Sequence, residues 1–247
     1  MSSPPTQPPP RLDVIAVGAH PDDIEIACGG TLAKLVRQGY RVGIIDLTDG
    51  EPTPGSPGPA VRLAEADAAA RTLGIHERIN LGLPNRRLFD NFENRVALAT
   101  EFRRWRPKLV IGFGAKTPMA SPDHHQSMLL TDAAIFYSRL TKWDEYFGGL
   151  PVHAVSRHLY FRLALEPDVL PGEPYHIAVD IGATLDTKID SVLCYRTQFS
   201  GKPYIADRIR AAAVVTGSAA GVSAAEVFVA PKPFAVDDLV ATIMPTA

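Results

Sequence analysis

Two patterns of apolar and polar positions alternate along the first half of the chain. Short, nearly continuous apolar runs predict buried strands, of which the first two cover residues 12–18 and 42–47. Longer stretches with helical spacing follow them, at residues 24–38 and 61–73, and both stop at a glycine. This alternation is typical of a parallel sheet that carries helices on both of its faces.

The same alternation continues to the middle of the chain. Further strands are predicted at residues 78–81 and 109–112, with helices at residues 92–105 and from about 124 to 139. The expected fold class is therefore α/β, a Rossmann-like three-layer sandwich with a mostly parallel sheet.

The last third of the chain has a less regular pattern. It predicts strands at residues 158–163, 175–180 and 227–229, with helices at residues 185–195 and after Ile205. No long linker separates this part from the rest, so we expect one domain over residues 11–247. Its C-terminal elements are expected to cap the same sheet.

Composition narrows the class of protein. The chain carries 25 Lys+Arg against 27 Asp+Glu, a formal net charge of −2, which gives no basic surface for nucleic acid or an acidic membrane. No run of about 18 apolar residues predicts a membrane span. The two cysteines, Cys28 and Cys194, are too few for a disulfide scaffold or a four-cysteine metal site. We therefore expect a protein of the reducing cytoplasm.

The 22 prolines are the unusual feature of the composition. Five of them lie in residues 1–10, which have neither a basic start nor an apolar run and so predict a disordered leader. Pro21, Pro84 and Pro122 instead lie in loops that follow predicted strands, and four more lie between positions 52 and 59. Proline restricts the backbone in these loops, where ligands of such sheets bind.

Residues with metal-binding chemistry follow the first and fourth predicted strands. His20, Asp22 and Asp23 come after the first strand, and His124 comes after the fourth. A helix cap would explain Pro21 and one aspartate, but it leaves the histidine and the second carboxylate without a role. Imidazole and carboxylate three residues apart can converge on one cation. His124 is the best third ligand, because neighbouring parallel strands bring their carboxyl ends together.

Other candidate chemistries are weaker. No glycine-rich phosphate loop follows the first strand, and no P-loop motif occurs in the sequence. Cys28 lies near the candidate site, but no base accompanies it, so we expect a buried, inert thiol. The remaining histidines are isolated in loops or strands and are left out of the site: His76, His153, His158 and His176.

Longer blocks of sequence carry a resemblance to a known family. Residues 18–35 read GAHPDDIEIACGGTLAKL, and DLTDGE, LGLPNR, PDHH and CYRTQF follow along the chain. Together these blocks resemble the LmbE-like/PIG-L superfamily of zinc-dependent N-deacetylases over about residues 11–200. The combination of DLTxxE, LGLPxR and YRxQF is most similar to the bacillithiol-biosynthesis branch, whose enzymes deacetylate N-acetylglucosaminyl malate.

The resemblance implies a function and a set of site residues. It implies one zinc ion per chain held by His20, Asp23 and His124, with Asp22 as the general base that activates water against an acetamide. The substrate would be a small molecule that contains N-acetylglucosamine, and the protein a homo-oligomer. Five further residues would bind the substrate, although surface salt bridges and a helix end also explain them: Glu51, Arg62, Arg86, Tyr195 and Gln198.

One position departs from the family pattern. The family has His-Pro-Asp-His, whose first histidine helps to stabilise the tetrahedral intermediate, whereas this chain has Ser121 there. A hydroxyl group donates one hydrogen bond without positive charge, and loss of one such donor costs about 10²–10³ in rate in other enzymes. Either His125 or Lys116 substitutes, or the protein is a catalytically weakened, sugar-binding relative. A third hypothesis keeps the metal as Fe(II), because two histidines and a carboxylate also form the facial triad of oxygenases.

Overall fold

The computed structural model describes residues 11–163, 176–238 and 242. The predicted leader, residues 1–10, lies outside the described residues, as does Tyr175 at the start of one predicted strand. The strands are β1 (Val14–Gly18), β2 (Val42–Thr48), β3 (Glu77–Leu83), β4 (Leu109–Phe113), β5 (Arg157–Phe161), β6 (His176–Asp180) and β7 (Ala225–Val229). The helices are α1 (Asp23–Arg37), α2 (Pro59–Leu73), α3 (Phe92–Trp105), α4 (Asp123–Tyr137), α5 (Leu185–Leu193), α6 (Arg196–Phe199) and α7 (Ile205–Ala220), with 3₁₀ turns at Asp144–Tyr146 and Gly182–Thr184.

The seven strands form one sheet in the order β3-β2-β1-β4-β5-β7-β6. The first five are parallel, and β7 runs antiparallel to both of its neighbours. Helices α1, α2, α5 and α7 pack on one face, and α3 and α4 pack on the other. The predicted α/β layers with a mostly parallel sheet are therefore confirmed.

The strand order places a crevice between β1 and β4. The chain moves outward from β1 to β2 and β3, then returns to build β4 on the other side of β1. Loops leaving the carboxyl ends of β1 and β4 consequently diverge, and such switch points are where open α/β sheets bind ligands. Every residue of β1 and β2 is buried, which explains why both read as continuous apolar runs.

The C-terminal third differs from the expectation in one respect. Strands β5, β6 and β7 lengthen the sheet rather than cap it, and only the helices of this part cover a face. The predicted helix at residues 185–195 ends at Leu193, and α6 forms separately after it. Among the residues described above, no helix is both long enough and apolar enough to cross a membrane.

A buried ion pair joins α1 to this C-terminal part. Helix α1 is interrupted at Cys28, where φ is −140° and ψ is 18°. The Glu226 carboxylate accepts the N–H groups of Gly30 and Thr31 at 3.0 and 2.7 Å, and the Lys188 ammonium group at 2.6 Å. Glu226 thus satisfies donors that the broken helix leaves without a carbonyl.

Burial also raises the pKa of the Cys28 thiol well above its usual value, which disfavours a reactive thiolate.

Candidate active site

The corner between β1 and α1 has an unusual backbone. Asp22 has φ 105° and ψ −25°, a backbone conformation that residues other than glycine rarely adopt. One oxygen of the next residue, Asp23 Oδ2, accepts the N–H groups of Ala19 and His20 at 3.0 and 2.9 Å. These bonds close the turn and bring the Asp23 carboxylate beside the His20 ring.

The three predicted metal ligands converge at this corner. One ligand atom each from His20, Asp23 and His124 lies within 4.8 Å of the other two. His20 Nδ1 is 3.4 Å from Asp23 Oδ2, and His124 Nε2 is 3.4 Å from Asp23 Oδ1. These separations are long for hydrogen bonds, but two ligands of tetrahedral zinc with bonds of about 2.1 Å also lie about 3.4 Å apart. The residues therefore fit a zinc-like cation.

The far nitrogen of each imidazole ring has a partner of its own. His20 Nε2 lies 3.3 Å from Asp123 Oδ2, and His124 Nδ1 lies 2.7 Å from Thr117 Oγ1. Phe113 stacks on the His124 ring, with 4.6 Å between the ring centroids. Partners of this kind fix the orientation and tautomer of histidines that bind metals. Both rings are thus held with their near nitrogens toward Asp23.

Carboxylates dominate the electrostatics around His20. Burial lowers the pKa of His20, but Asp23, Asp123 and Asp22 together raise it to about 10. Burial raises the pKa of Asp23, yet His124 and His20 bring it well below its usual value. Both pKa shifts have the same cause, because a positive charge beside these carboxylates is stabilised by their negative charge. A bound cation would supply that charge.

Asp22, the predicted general base, is paired with a buried arginine. Its Oδ2 lies 3.1 Å from Arg62 Nη2, and Arg62 also donates to the carbonyl of Pro21. Burial raises the pKa of Asp22 to about 7, against the attraction of Arg62. The Nε and Nη1 atoms of Arg62 have no hydrogen-bond partner among the described residues, although the side chain is only 3% exposed. Arg62 thus keeps two buried donors without a partner beside the Asp22 carboxylate.

Tyr195 lies beneath Arg62 rather than in the open part of the site. Its side chain is fully buried, and the Arg62 guanidinium carbon is 5.2 Å from its ring centroid. Its hydroxyl group donates to Glu25 at 2.9 Å, and Glu25 contacts Arg78, which also binds Asp46. In this conformation Tyr195 supports the arginine, so its predicted contact with substrate stays a prediction.

Glu51 and Gln198 meet at the rim of the site through Thr53. The Glu51 carboxylate accepts the N–H and hydroxyl groups of Thr53 at 2.8 and 2.9 Å. Gln198 Nε2 donates to the Thr53 hydroxyl oxygen at 3.0 Å, and Asn85 Nδ2 donates to the Glu51 carbonyl at 2.9 Å. These bonds join the loops after β2 and β3 to α6, so Glu51 and Gln198, two of the five predicted substrate residues, are connected through Thr53.

Arg86 and Ser121 both lie next to Asp123. Arg86 has φ 63° and an exposed side chain, and its N–H group donates to Asp123 Oδ2 at 2.7 Å. The Ser121 hydroxyl oxygen accepts the N–H group of Asp123 at 3.3 Å, at the start of α4. Ser121 therefore serves the helix end, where the family pattern has a histidine.

Sequence reasoning did not assign roles to Asp123 or Thr117, which hold the two ligand rings. The only signal for Asp123 was its place in the PDHH block, directly before a predicted ligand. Thr117 lies seven residues before His124 in a loop, so nothing in the spacing pointed to it. The buried contacts of Glu25 with Arg78 were also unforeseen.

Comparisons with known proteins bear on this site. Residues 15–135 match the family model described as PIG-L: GlcNAc-PI de-N-acetylase, and this range contains the three candidate ligands and Asp22. The chain is also similar to the crystal structure of the conserved protein TT1542 from Thermus thermophilus. The two are 35% identical with a TM-score of 0.79, over 92% of this chain and 98% of that one. The chain belongs to the PIG-L family.

Two relatives of this PIG-L family chain have named reactions. The diacetylchitobiose deacetylase of Thermococcus kodakarensis is 27% identical over 195 residues, which cover 75% of this chain and 70% of that protein. The 1D-myo-inositol 2-acetamido-2-deoxy-alpha-D-glucopyranoside deacetylase 1 of Saccharopolyspora erythraea is 28% identical over 240 residues, covering 77% and 78%. Both names describe deacetylases, and their substrates differ in the group attached to the sugar.

Proposed function

We propose that this PIG-L family protein is a metal-dependent deacetylase that hydrolyses the acetamide of an N-acetylglucosamine-type sugar. The observation that carries the proposal is the convergence of His20, Asp23 and His124 beside the carboxylate of Asp22. The names of its relatives support the reaction class. We propose zinc as the metal, because two imidazoles and one carboxylate with an open position are typical of catalytic zinc sites.

The proposed reaction divides the chemistry between the metal and the side chains. When bound, zinc supplies Lewis acidity toward the amide oxygen and the attacking water. Asp22 accepts a proton from that water as the new carbon–oxygen bond forms, and returns it to the nitrogen as the carbon–nitrogen bond breaks. Acetate and a free amine leave, and Asp22 ends as it began. Arg62 holds the Asp22 carboxylate from the side of Pro21.

For the substrate, we propose N-acetylglucosaminyl malate. The exposed guanidinium group of Arg86 suits the carboxylates of a malate group. The rim formed by Glu51, Thr53 and Gln198 offers donors and acceptors for sugar hydroxyl groups. The proposal also includes the cytoplasmic location expected from the composition and the homo-oligomer that the family resemblance implies.

Acetate release from three sugar conjugates tests the function. Zinc-loaded protein, assayed without oxygen, is given N-acetylglucosaminyl malate, diacetylchitobiose and the inositol conjugate of N-acetylglucosamine. We expect release that the variant Asp22→Asn slows about 10²–10⁴-fold, because a general base contributes about that factor. The control Asp132→Asn removes a carboxylate of α4 that Tyr160 binds at 3.0 Å, and should keep full activity. Zinc-loaded protein that releases no acetate from any conjugate contradicts the proposal.

Ser121 supports a second candidate function, a sugar-binding relative with weak turnover. Its hydroxyl oxygen accepts the Asp123 N–H group and leaves one uncharged donor in the place of an imidazolium group. The variant Ser121→His distinguishes the two candidates. A large gain in acetate release over the parent favours the weakened relative, whereas an unchanged or lower rate shows that the serine does not limit catalysis.

A further inference from the structure

Asp123 is the first residue of α4 and is 1% exposed. A single oxygen of its carboxylate, Oδ2, lies 3.3 Å from His20 Nε2 and accepts the Arg86 N–H group at 2.7 Å. We propose that Asp123 is a positioning residue that ties the orientation of a metal ligand to the loop that carries Arg86. The inference rests on the metal centre proposed above.

The first half of the inference concerns the His20 ring. Its Nδ1 faces Asp23 and its Nε2 faces Asp123, so the ring lies between two carboxylates. A hydrogen on Nε2 directed at Asp123 leaves Nδ1 unprotonated and turned toward the cation. Asp123 thereby selects the tautomer that binds metal and makes the ring a stronger ligand.

The second half concerns the loop after β3. Arg86 has φ 63°, a left-handed conformation that residues other than glycine adopt at an energetic cost. The hydrogen bond from its N–H group to Asp123 opposes this cost. Asn85, its neighbour, donates to the Glu51 carbonyl, so the same loop also reaches the rim of the site. The carboxylate that orients His20 therefore also shapes the loop proposed to bind the substrate.

Capping of α4 does not explain these contacts. An aspartate in the first turn of a helix stabilises the helix dipole, and it does so without partners elsewhere. The Asp123 carboxylate instead accepts hydrogen bonds across 37 and 103 residues of sequence, and the Ser121 hydroxyl oxygen accepts the Asp123 N–H group. The long-range contacts indicate a role in the site.

Zinc affinity and the spectrum of the cobalt(II)-substituted protein test this role. Competition with a chromophoric chelator gives the zinc Kd of the wild type, Asp123→Asn, Asp123→Ala and the matched control Asp132→Asn. We expect both Asp123 variants to bind zinc about 10–100-fold more weakly, because loss of such a partner weakens metal sites by that factor. Their cobalt spectra should change, and Asp132→Asn should match the wild type in both measurements.

The loop gives an independent readout. Zinc should slow hydrogen exchange of the peptide that contains Arg86 in the wild type, and much less so in Asp123→Ala. The variant His20→Ala separates failure of this inference from failure of the metal centre. If His20→Ala binds zinc normally, the metal centre itself is wrong. If His20→Ala loses zinc while Asp123→Asn keeps wild-type affinity and cobalt spectrum, the positioning role is wrong. Asp123→Asn decides the matter should Asp123→Ala fail to fold.

Discussion

Two buried clusters of charge flank α1, and they differ in how their charges balance. In the middle of the helix, the Glu226 carboxylate meets the Lys188 ammonium group and two backbone N–H groups, so the protein itself supplies every partner. At its N-terminal end, the carboxylates of Asp22, Asp23 and Asp123 surround His20, and among the ion pairs of the described residues only Asp22 has an arginine partner, Arg62. The balanced cluster holds elements together, whereas the unbalanced one favours a cation from outside. Charge balance thus separates a structural cluster from a candidate site.

The largest expected effect comes from breaking the balanced cluster. Lys188→Met leaves Glu226 buried without its counter-charge, and removal of one partner from such a pair destabilises a protein by about 3–5 kcal/mol. Denaturation in urea, with chelator present, measures this loss. A change below about 1 kcal/mol would show that the pair contributes little, as exposed pairs do.

The unbalanced cluster should respond to zinc instead. With free zinc at about 100 times its Kd, the free energy of unfolding should rise by about 2.7 kcal/mol over the chelated protein. Lys188→Met should show the same increment, because distant sites contribute independently. His124→Ala should show none. An increment that survives in His124→Ala would place the zinc elsewhere.

A third buried group, His158, sharpens the comparison because it lacks the carboxylates that surround His20. Burial lowers its pKa to about 4. Its carboxylate neighbour among the described residues, Asp132, accepts the Tyr160 hydroxyl group. In the unfolded chain this histidine has its ordinary pKa of 6.5. Between pH 6.5 and 4 the unfolded chain therefore binds a proton here, whereas the native state does not. Stability should therefore be fully present above pH 6.5 and fall as the pH drops toward 4. The loss from about pH 7 to pH 5 is about 2 kcal/mol.

The variant His158→Gln isolates this contribution. Urea denaturation of the chelated wild type and variant at several pH values gives two curves. The free energy of unfolding of the variant, relative to that of the wild type, should rise as the pH falls and then level off below about pH 4. Parallel curves would mean that the native state binds the proton as readily as the unfolded chain does, with Asp132 as the partner.

The parts of the fold that follow from local pattern could be predicted from the sequence. β1 and β2 are buried on both faces, so their apolar runs identified them directly. The three ligands were accessible to the same reasoning, because His20 and Asp23 come after β1 and His124 comes after β4, and neighbouring parallel strands bring their carboxyl ends together.

Contacts between distant segments could not be predicted in the same way. β7 is inserted between β5 and β6, an order that the chain sequence does not specify. Asp123 meets His20 across 103 residues, and Glu226 meets the N–H groups of α1 across nearly twice that distance. The resemblance suggested a role for Tyr195 but gave no sign that its side chain is fully buried. The burial of a side chain and its contacts with residues distant in the sequence depend on how the whole chain packs.

At Asp22 the backbone conformation favours glycine, whereas the proposed chemistry requires a carboxylate. Its φ of 105° suits glycine, so replacement by glycine would relax the turn while it removed the carboxylate. Glycine there is thus favoured by the backbone but opposed by the loss of the proposed catalytic carboxylate and of its buried ion pair with Arg62. Aspartate at this corner therefore carries a conformational cost that only its carboxylate can offset, through the site and through Arg62.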